Sequence, residues 1–394
     1  MSDIADSRSG WFSIISSTAT AVVVGFASTI LLIMQAAQAV GATPAEQASW
    51  AAALCFGQVI TTFYLSWRHR MPIITAWSTP GAALIVTSAA GISYENALGA
   101  FVVAGLLMCL TALIRPLARA IAQIPAPIAA AMLAGVLLKY TLGVPAAALS
   151  MPLFVLPLII VFFGLRLSFA LYAVPVVVVL GVALAAFAGS FSAACCTVGI
   201  TQLIWTTPQF DGPTILSLGV PLFLVTIASQ NLPGFAVLRA SGYEPPVTSC
   251  LITTGLASMA MAPFGSHAIN LAAITASLVT GPDTHEDPGK RWLMAWPYAV
   301  LYVVVGLGAA LLVQILGALP TALITTIVGL ALFSPLMGSV VAMLKEPNDI
   351  ESALITFLVT ASGVTFFSVG SAFWGLAAGL MLFGARHMMK RGNF

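Results

Sequence analysis

The chain has 394 residues, of which 60% are hydrophobic and 7% are charged, and its formal net charge is +2. A soluble domain carries about 25% charged residues, so this composition excludes a soluble enzyme, a nucleic-acid-binding protein and a disordered chain. Residues 97–114 and 172–187 are continuously apolar, which excludes a transmembrane β-barrel built of alternating strands. The sequence therefore predicts an all-α polytopic membrane protein.

Hydrophobic segments follow one another along the whole chain. We count fourteen, at residues 18–40, 47–66, 73–90, 97–114, 127–138, 152–164, 169–187, 218–237, 247–262, 266–280, 293–315, 322–344, 350–366 and 371–385. A membrane-crossing helix needs about 20 residues, and segments three, five, six and ten are shorter than that. Twelve spans remain an alternative, because removing an adjacent pair of segments leaves the charge pattern unchanged.

The basic residues indicate an orientation. With fourteen spans and the N-terminus inside, 13 of the 14 Lys and Arg residues fall on the inner side, and Lys139 alone falls outside. Cytoplasmic loops of membrane proteins are enriched in Lys and Arg. The pattern therefore predicts a multi-pass protein with both termini in the cytoplasm.

Motifs for cofactor, metal or covalent chemistry are missing from the sequence. The five cysteines, Cys55, Cys109, Cys195, Cys196 and Cys250, form no C-x-x-C pair or Cys/His cluster, so they are interpreted as small apolar residues. The sequence also has no phosphate-binding Walker loop, H-E-x-x-H motif or nucleophile elbow. We therefore predict that the protein is not an enzyme, that it has no catalytic residue and that it binds no metal or cofactor.

Two interrupted segments indicate an internal repeat. Residues 72–91 and 263–281 each open with Pro, pass through an irregular stretch, continue into a small-residue helix and end with Gly. Seven spans per half would invert the second copy, giving repeats at 1–190 and 214–394 that are joined by residues 189–213. Paired broken helices in inverted repeats commonly form the transport site near the bilayer midplane.

Each interrupted segment contains a predicted helix start. In the first, Ser78 and Thr79 precede Pro80 and Gly81, as at an N-cap followed by Pro. In the second, Ser266 is the predicted N-cap, with Asn270 about one turn into the helix. Helix N-termini carry partial positive charge and free N–H groups, so two that face each other would form an anion site without Arg or Lys. The alternative is that both segments are merely kinked helices.

The spans as predicted contain amides and one histidine in place of charges. The amides beside the breaks are Gln35, Gln38, Gln230 and Asn231, and they are expected to orient a ligand. His267 is the only histidine within a predicted span. An imidazole can take up a proton near neutral pH, so His267 is the candidate for proton coupling. The alternative is a neutral His267 that hydrogen-bonds the substrate.

Aromatic residues near the breaks narrow the ligand class. Trp77, Phe264 and Phe235 lie beside the predicted helix starts. Together with two positive helix ends, they favour a small, flat, partly apolar monoanion. Ser78, Thr79, Gly81, Ser266, His267 and Asn270 are the residues expected at its charged group.

Four stretches resemble one transporter family. They are TAWSTPGAALI at 75–85, SQNLPGFAVLRASGYEPP at 229–246, FGSHAINLAAITA at 264–276 and PDTHEDPGKRW at 282–292. With these motifs in this order, the chain resembles the benzoate/proton symporter family (BenE). The resemblance implies an inner-membrane secondary transporter that carries benzoate or a related aromatic carboxylate together with a proton, by alternating access.

That family is distantly related to the nucleobase and sulfate permeases, which implies a fold. Segments 1–4 and 8–11 would form a core, segments 5–7 and 12–14 a gate, and the substrate would lie between broken segments 3 and 10. Relatives in this wider group are often dimers, so a homodimer is a further expectation. Where nucleobase permeases carry acids, this chain has Gln230, Asn231, His267 and Asn270, and their acid-based coupling does not transfer. The alternatives are an uncoupled anion channel or uniporter, and a symporter of another small anion or a nucleobase.

Overall fold

The computed structural model describes residues 2–392 except 28, 90, 115, 117–123, 190–198, 273 and 368. Nearly all of its regular structure is helical. The elements are α1 Ser2–Ala27, α2 Ile30–Ala39, α3 Pro44–His69, β1 Thr75–Trp77, α4 Thr79–Ser88, α5 Tyr94–Leu113, α6 Ala126–Ser150, α7 Pro152–Ser168, α8 Ala173–Phe187, α9 Gly212–Ala240, α10 Val247–Met261, β2 Ile269–Leu271, α11 Ile274–Ser277, α12 Ala295–Leu307, α13 Ala309–Gly317, α14 Thr321–Ala331, α15 Phe333–Met343, α16 Ile350–Ser362 and α17 Ser371–Gly392. Cys195 and Cys196 lie outside the described residues.

Length and composition identify the membrane-crossing helices. Six described helical stretches are long and apolar enough: Gly10–Ala39, Pro44–His69, Tyr94–Leu113, Ala126–Ser150, Gly212–Ala240 and Val247–Phe264. Two bent pairs raise the number to eight, since α12 and α13 meet at 58° and α14 and α15 at 40°. Helices α7, α8 and α16 are apolar but shorter. The chain is therefore a multi-pass helical membrane protein, and the count of fourteen spans stays a prediction.

Several helices begin at side-chain caps that the sequence supplies. Thr43 and Glu46 form a capping box at the start of α3, with Pro44 in the first helical position. Ser93 caps α5, and the Asp211 carboxylate accepts from the Thr214 N–H, 3.0 Å away, at the start of α9. These caps satisfy N–H groups that have no partner within the helix. They place the helix starts at defined points in the chain.

Helix α6 corrects the prediction for the fifth segment. It runs through Lys139, Gly143 and Pro145 to Ser150, so the prediction that the span ends at residue 138 is wrong. The prediction that no Lys lies well inside a span is wrong for the same reason. Pro145 removes one backbone hydrogen bond, which tertiary packing offsets in a membrane helix. Lys139 is therefore near the middle of a candidate span.

The two interrupted segments meet as a short antiparallel ribbon. Strand β1 pairs with β2 so that Ala76 lies opposite Asn270. The backbone ladder continues from Ser78 N to Ala268 O at 3.3 Å and from Ala272 N to Ile74 O at 3.0 Å. The prediction of a helix from Ser266, with Asn270 one turn in, is wrong, because the backbone around Asn270 pairs with β1 and Asn270 lies in a strand.

The helices pack into two groups. The ribbon bundle comprises α1–α5 and α9–α13, in which α3 packs on α12 and α5 on α10. The second bundle comprises α6–α8 and α14–α17, in which α6 packs on α16 and α14 on α7. Helix α6 also contacts α4 and α9, and α14 contacts α2. Helices α6 and α14 therefore form part of the surface by which the second bundle faces the ribbon bundle.

Candidate functional site

Ser78 joins the first broken segment to its surroundings. Its hydroxyl accepts from the Gly81 N–H at 3.1 Å, which caps α4, and from the Thr226 hydroxyl at 3.1 Å. Its carbonyl lies 2.9 Å from His267 Nε2. Ser78 is fully buried. It therefore connects β1, the α4 N-terminus, α9 and the second broken segment.

His267 lies between Trp50 of α3 and the first broken segment. The Trp50 indole N–H is 3.2 Å from Nδ1, and because an indole N–H can only donate, Nδ1 carries no proton. The Ser78 carbonyl can only accept, so Nε2 donates to it. These two bonds define a neutral imidazole with its proton on Nε2. The ring is fully buried, packed against Trp50 and Phe101.

Three buried polar side chains beside the ribbon keep unused hydrogen-bonding atoms. Asn231 Oδ1 accepts from the Leu271 N–H at 3.0 Å, and Asn270 Nδ2 donates to the Leu271 carbonyl at 2.8 Å. Asn231 Nδ2, Asn270 Oδ1 and Ser266 Oγ have no partner among the described residues. Buried polar atoms are nearly always bonded. These three therefore mark a place where water or a polar ligand is needed.

Helix α9 is irregular beside this cluster. It contains π-helical turns at Ile215–Gly219 and Ile227–Asn231. The second turn packs against β2 and against α6 of the second bundle. Gln230 in this turn is half-buried. Extra residues of this kind in a helix often occur at functional sites because they redirect side chains.

A cavity of about 430 Å³ lies between the two bundles. Its described lining is Gln35, Gln38 and Ala39 of α2, Val86 of α4, Lys139, Tyr140 and Gly143 of α6, and Thr325 and Val328 of α14. The Tyr140 hydroxyl donates to the Ala83 carbonyl of α4 at 2.7 Å, which ties the bundles together beside the cavity. Its volume is within the range of about 300–1,000 Å³ for small-molecule sites.

A second cavity of about 630 Å³ adjoins the first, sharing Ala39 and Val86. Gly41 and residues 91–95 also line it, so it lies at the loops that follow α2 and α4. The predicted residues Gln35 and Gln38 line the first cavity. The second cavity lies between the first and these loops.

The remaining predicted site residues differ in position. Thr79 is half-buried at the first turn of α4. The space beside Gly81 is occupied, because a Cβ there would lie 2.5 Å from Leu222 Cδ1, so Gly81 serves helix packing between α4 and α9. Of the aromatic residues predicted near the ligand, Trp77 and Phe235 are buried, and Trp77 contacts Phe26 and Tyr302. Phe264 is half-buried and contacts Trp205, which is exposed.

Sequence reasoning missed several residues at this site. Lys139 was detectable as a basic residue within an apolar stretch, and its assignment to a loop concealed it. Trp50, Thr226 and Tyr140 gave no signal, since nothing local in the chain shows which distant backbone or ring an indole or hydroxyl will meet.

Comparison with known proteins identifies the family. Residues 11–384 match the family described as BenE, benzoate membrane transport protein. The chain is 38% identical to Inner membrane protein YdcO of Escherichia coli (strain K12), over 91% of this chain and 92% of that protein. The chain belongs to the BenE family. It is also 32% identical to the Benzoate membrane transport protein of Acinetobacter baylyi, over 92% of each chain. As a member of this family, the protein is a membrane transporter and not an enzyme.

Solved structures share the fold. The transmembrane domain of the cyanobacterial bicarbonate transporter BicA aligns with a TM-score of 0.61 at 15% identity, covering 94% of this chain and 97% of that domain. SLC26A9 aligns with a TM-score of 0.63 at 13% identity, covering 95% of this chain and 66% of the other. At such identities the likeness shows the fold alone, which is that of helical membrane transporters.

Proposed function

We propose that this protein is a secondary active transporter that carries benzoate or a related aromatic carboxylate together with a proton. A relative of nearly full-length overlap is named a benzoate membrane transport protein. The observation that carries the proposal is the cavity of about 430 Å³ between the ribbon bundle and the second bundle. A space between two helix bundles suits alternating access, in which one bundle moves against the other around a bound substrate.

The helix pairing supports an inverted seven-plus-seven repeat with fourteen spans. If residues 1–190 and 214–394 are the two copies, α3 corresponds to α10 and α5 to α12. The α3–α12 contact in one arrangement is then equivalent to the α10–α5 contact in the other. In the same scheme α6 corresponds to α14 and α16 to α7, so the α6–α16 contact is equivalent to the α14–α7 contact. The strands β1 and β2 correspond to each other and pair with each other. In this proposal the ribbon bundle is the core and the second bundle is the gate.

The proposed substrate site lies where the core meets the gate. Gln35 and Gln38 line the cavity. Thr79 and Gln230 are half-buried in elements that contact α6, so we assign all four residues to direct contact with the ligand. The buried residues Ser78, Asn231, Ser266, His267 and Asn270 line or support the floor of the site. The unpaired amide and hydroxyl atoms of Asn231 and Ser266 could donate to a carboxylate after a small movement. Gly81 supports the site through packing.

The bonds of His267 suggest how a proton would change the protein. A second proton on the ring must occupy Nδ1, which would then face the Trp50 N–H as donor against donor. Protonation would therefore break this bond and loosen the link between α3 and the second broken segment. We propose that proton uptake favours one arrangement of the core in this way.

The proposed location is a cell inner membrane, as the printed name of the YdcO relative suggests. The charge pattern supports both termini on the cytoplasmic side, because 13 of the 14 Lys and Arg residues fall there and the remaining one, Lys139, lies within α6. A homodimer is proposed as well, and light scattering of the detergent-solubilised protein would determine its mass.

The test of the proposed function is uptake of labelled benzoate by proteoliposomes, with and without an inward proton gradient. We expect protein-dependent accumulation above the external concentration that an uncoupler collapses. Protein-free liposomes are the control, because neutral benzoic acid crosses bilayers unaided. Uptake that only equilibrates would contradict coupling and favour a uniporter, and a wild-type protein without benzoate uptake would contradict the substrate.

The His267→Gln variant tests the proton-coupling residue in the same assay. Since Gln cannot take up a proton near neutral pH, we expect the protein-dependent accumulation to disappear, which leaves under the imposed gradient only the uptake that protein-free liposomes show. Trp50→Phe, which removes the donor to Nδ1 while keeping an aromatic ring, should retain accumulation with an altered pH profile. Normal accumulation by His267→Gln would show that the proton travels elsewhere, for example on the substrate as the neutral acid.

A further inference from the structure

Lys139 is a basic residue near the middle of a candidate membrane span. It is exposed and lines the cavity between the bundles, together with Gln35 and Gln38. A charge at this depth is costly unless it faces a water-filled cavity or a partner, and such residues mark substrate or ion pathways. The ion pair found among the described residues joins Arg386 to Glu351. No described Asp or Glu therefore pairs with Lys139.

The cavity around Lys139 is electropositive and amphipathic. Its described lining contains no carboxylate, although Glu95 lines the adjoining cavity. The amides of Gln35 and Gln38 and the hydroxyl of Thr325 provide neutral hydrogen-bonding groups, and Val86 and Val328 provide apolar wall. One cation with neutral donors and apolar walls matches a ligand that has one negative group and a hydrophobic body.

The ammonium group of Lys139 rests against Gly363, at the C-terminal cap of α16. Helix C-termini carry partial negative charge and hold Lys side chains. Gly363 has φ +69°, and a Cβ at this position would collide with Lys139 Nζ. The ammonium therefore contacts a helix terminus with only a partial charge and no carboxylate. Its flexible four-carbon side chain can move it from there to an anion in the cavity.

We infer that Lys139 binds the carboxylate of the substrate in this cavity, so that the transporter selects monoanionic carboxylates over neutral analogues. The inference rests on the proposed function and adds a binding residue to it. In this arrangement Gln35 and Gln38 donate further hydrogen bonds to the anion, and the apolar wall covers the ring.

Charge-removing and charge-preserving variants test this assignment. We expect Lys139→Gln to raise the half-saturating benzoate concentration by about tenfold, the factor that 1.4 kcal/mol represents. Lys139→Arg should stay close to wild type because it keeps the charge. Lys345→Gln is the matched control, since it makes the same change at an exposed position after α15, outside the described lining of the cavity.

A binding measurement separates this inference from the proposed function. Benzoate and its neutral analogue benzamide are compared as thermal stabilisers of each purified variant. Stabilisation by benzoate that is lost in Lys139→Gln and kept in Lys139→Arg and Lys345→Gln would support the inference even if wild-type uptake were absent. An unchanged half-saturating concentration or unchanged stabilisation in Lys139→Gln would overturn it while leaving benzoate transport intact. Wild-type protein that neither binds nor transports benzoate would overturn both.

Discussion

At the scale of single residues, Ser78 joins the elements of the site. Its hydroxyl caps α4 and accepts from Thr226, and its carbonyl accepts from His267. One residue therefore helps to set the start of a helix, the position of a neighbouring helix and the tautomer of His267. The side chain is occupied by these bonds, so its role is to support the site.

Replacing Ser78 should expose this supporting role. Ser78→Ala removes the cap of α4 and should lower stability by about 1–2 kcal/mol, with further loss because the buried Thr226 hydroxyl loses its acceptor. The apparent melting temperature and benzoate uptake of the purified protein would both fall. Thr87→Ala is the control within the same helix, because the Thr87 hydroxyl bonds to carbonyls of α4 itself. Equal stability of the two variants would contradict the assignment.

At the scale of elements, close helix contact depends on glycine. Helices α5 and α10 approach so closely that a Cβ at Gly105 would lie 2.8 Å from the Gly255 carbonyl, and a Cβ at Gly255 the same distance from the Gly105 carbonyl. Small residues allow this approach in membranes, where apolar burial alone does not drive helices together. Helix α10 in turn packs against β2, and α3 packs against both strands.

A methyl group at this contact should push the two helices apart. We expect Gly105→Ala to lower stability by about 1–3 kcal/mol, as overpacking does. Gly164→Ala in α7 is the matched control, since a Cβ there meets nothing within 4 Å and Ala is the better helix former. Thermal unfolding in detergent compares the two. A Gly105→Ala protein as stable as the control would show that the helices separate without cost.

At the scale of the whole molecule, the proposed transport mechanism depends on the space between the bundles. Val86 of α4 lines both cavities and lies where they adjoin. Tyr140 bridges from α6 to α4 beside it. If the second bundle moves against the ribbon bundle, this region must both admit substrate and change shape.

Filling the space at Val86 should block transport without unfolding the protein. We expect Val86→Trp to reduce uptake by about tenfold, since this factor corresponds to 1.4 kcal/mol, which lies within the cost of about 1–3 kcal/mol that overpacking carries. Val341→Trp is the control, because Val341 of α15 is 67% exposed and away from both cavities. Normal uptake by Val86→Trp would place the substrate route elsewhere.

Features that depend on composition or on residues close together in the sequence were predictable. Composition identified a polytopic helical membrane protein, and the Ser78–Thr79–Pro80 pattern located the start of α4, because capping involves residues three apart. The motifs around both breaks identified the BenE family. The meeting of the two broken segments was also predicted, from the internal repeat.

Contacts between distant parts of the chain were decided by the tertiary structure. The second break forms a strand at Asn270 because β1 is there to pair with it, and local sequence favoured a helix. Lys139 lies within α6, lines a cavity between the two bundles and places its ammonium against Gly363 at the end of α16, and hydropathy along one segment reveals none of these contacts. Trp50 fixes the tautomer of His267 from 217 positions away. The amino-acid sequence was sufficient to identify the class of molecule and the two broken segments, whereas helix packing sets which side chains line the cavities, because burial and partner geometry depend on all the helices together.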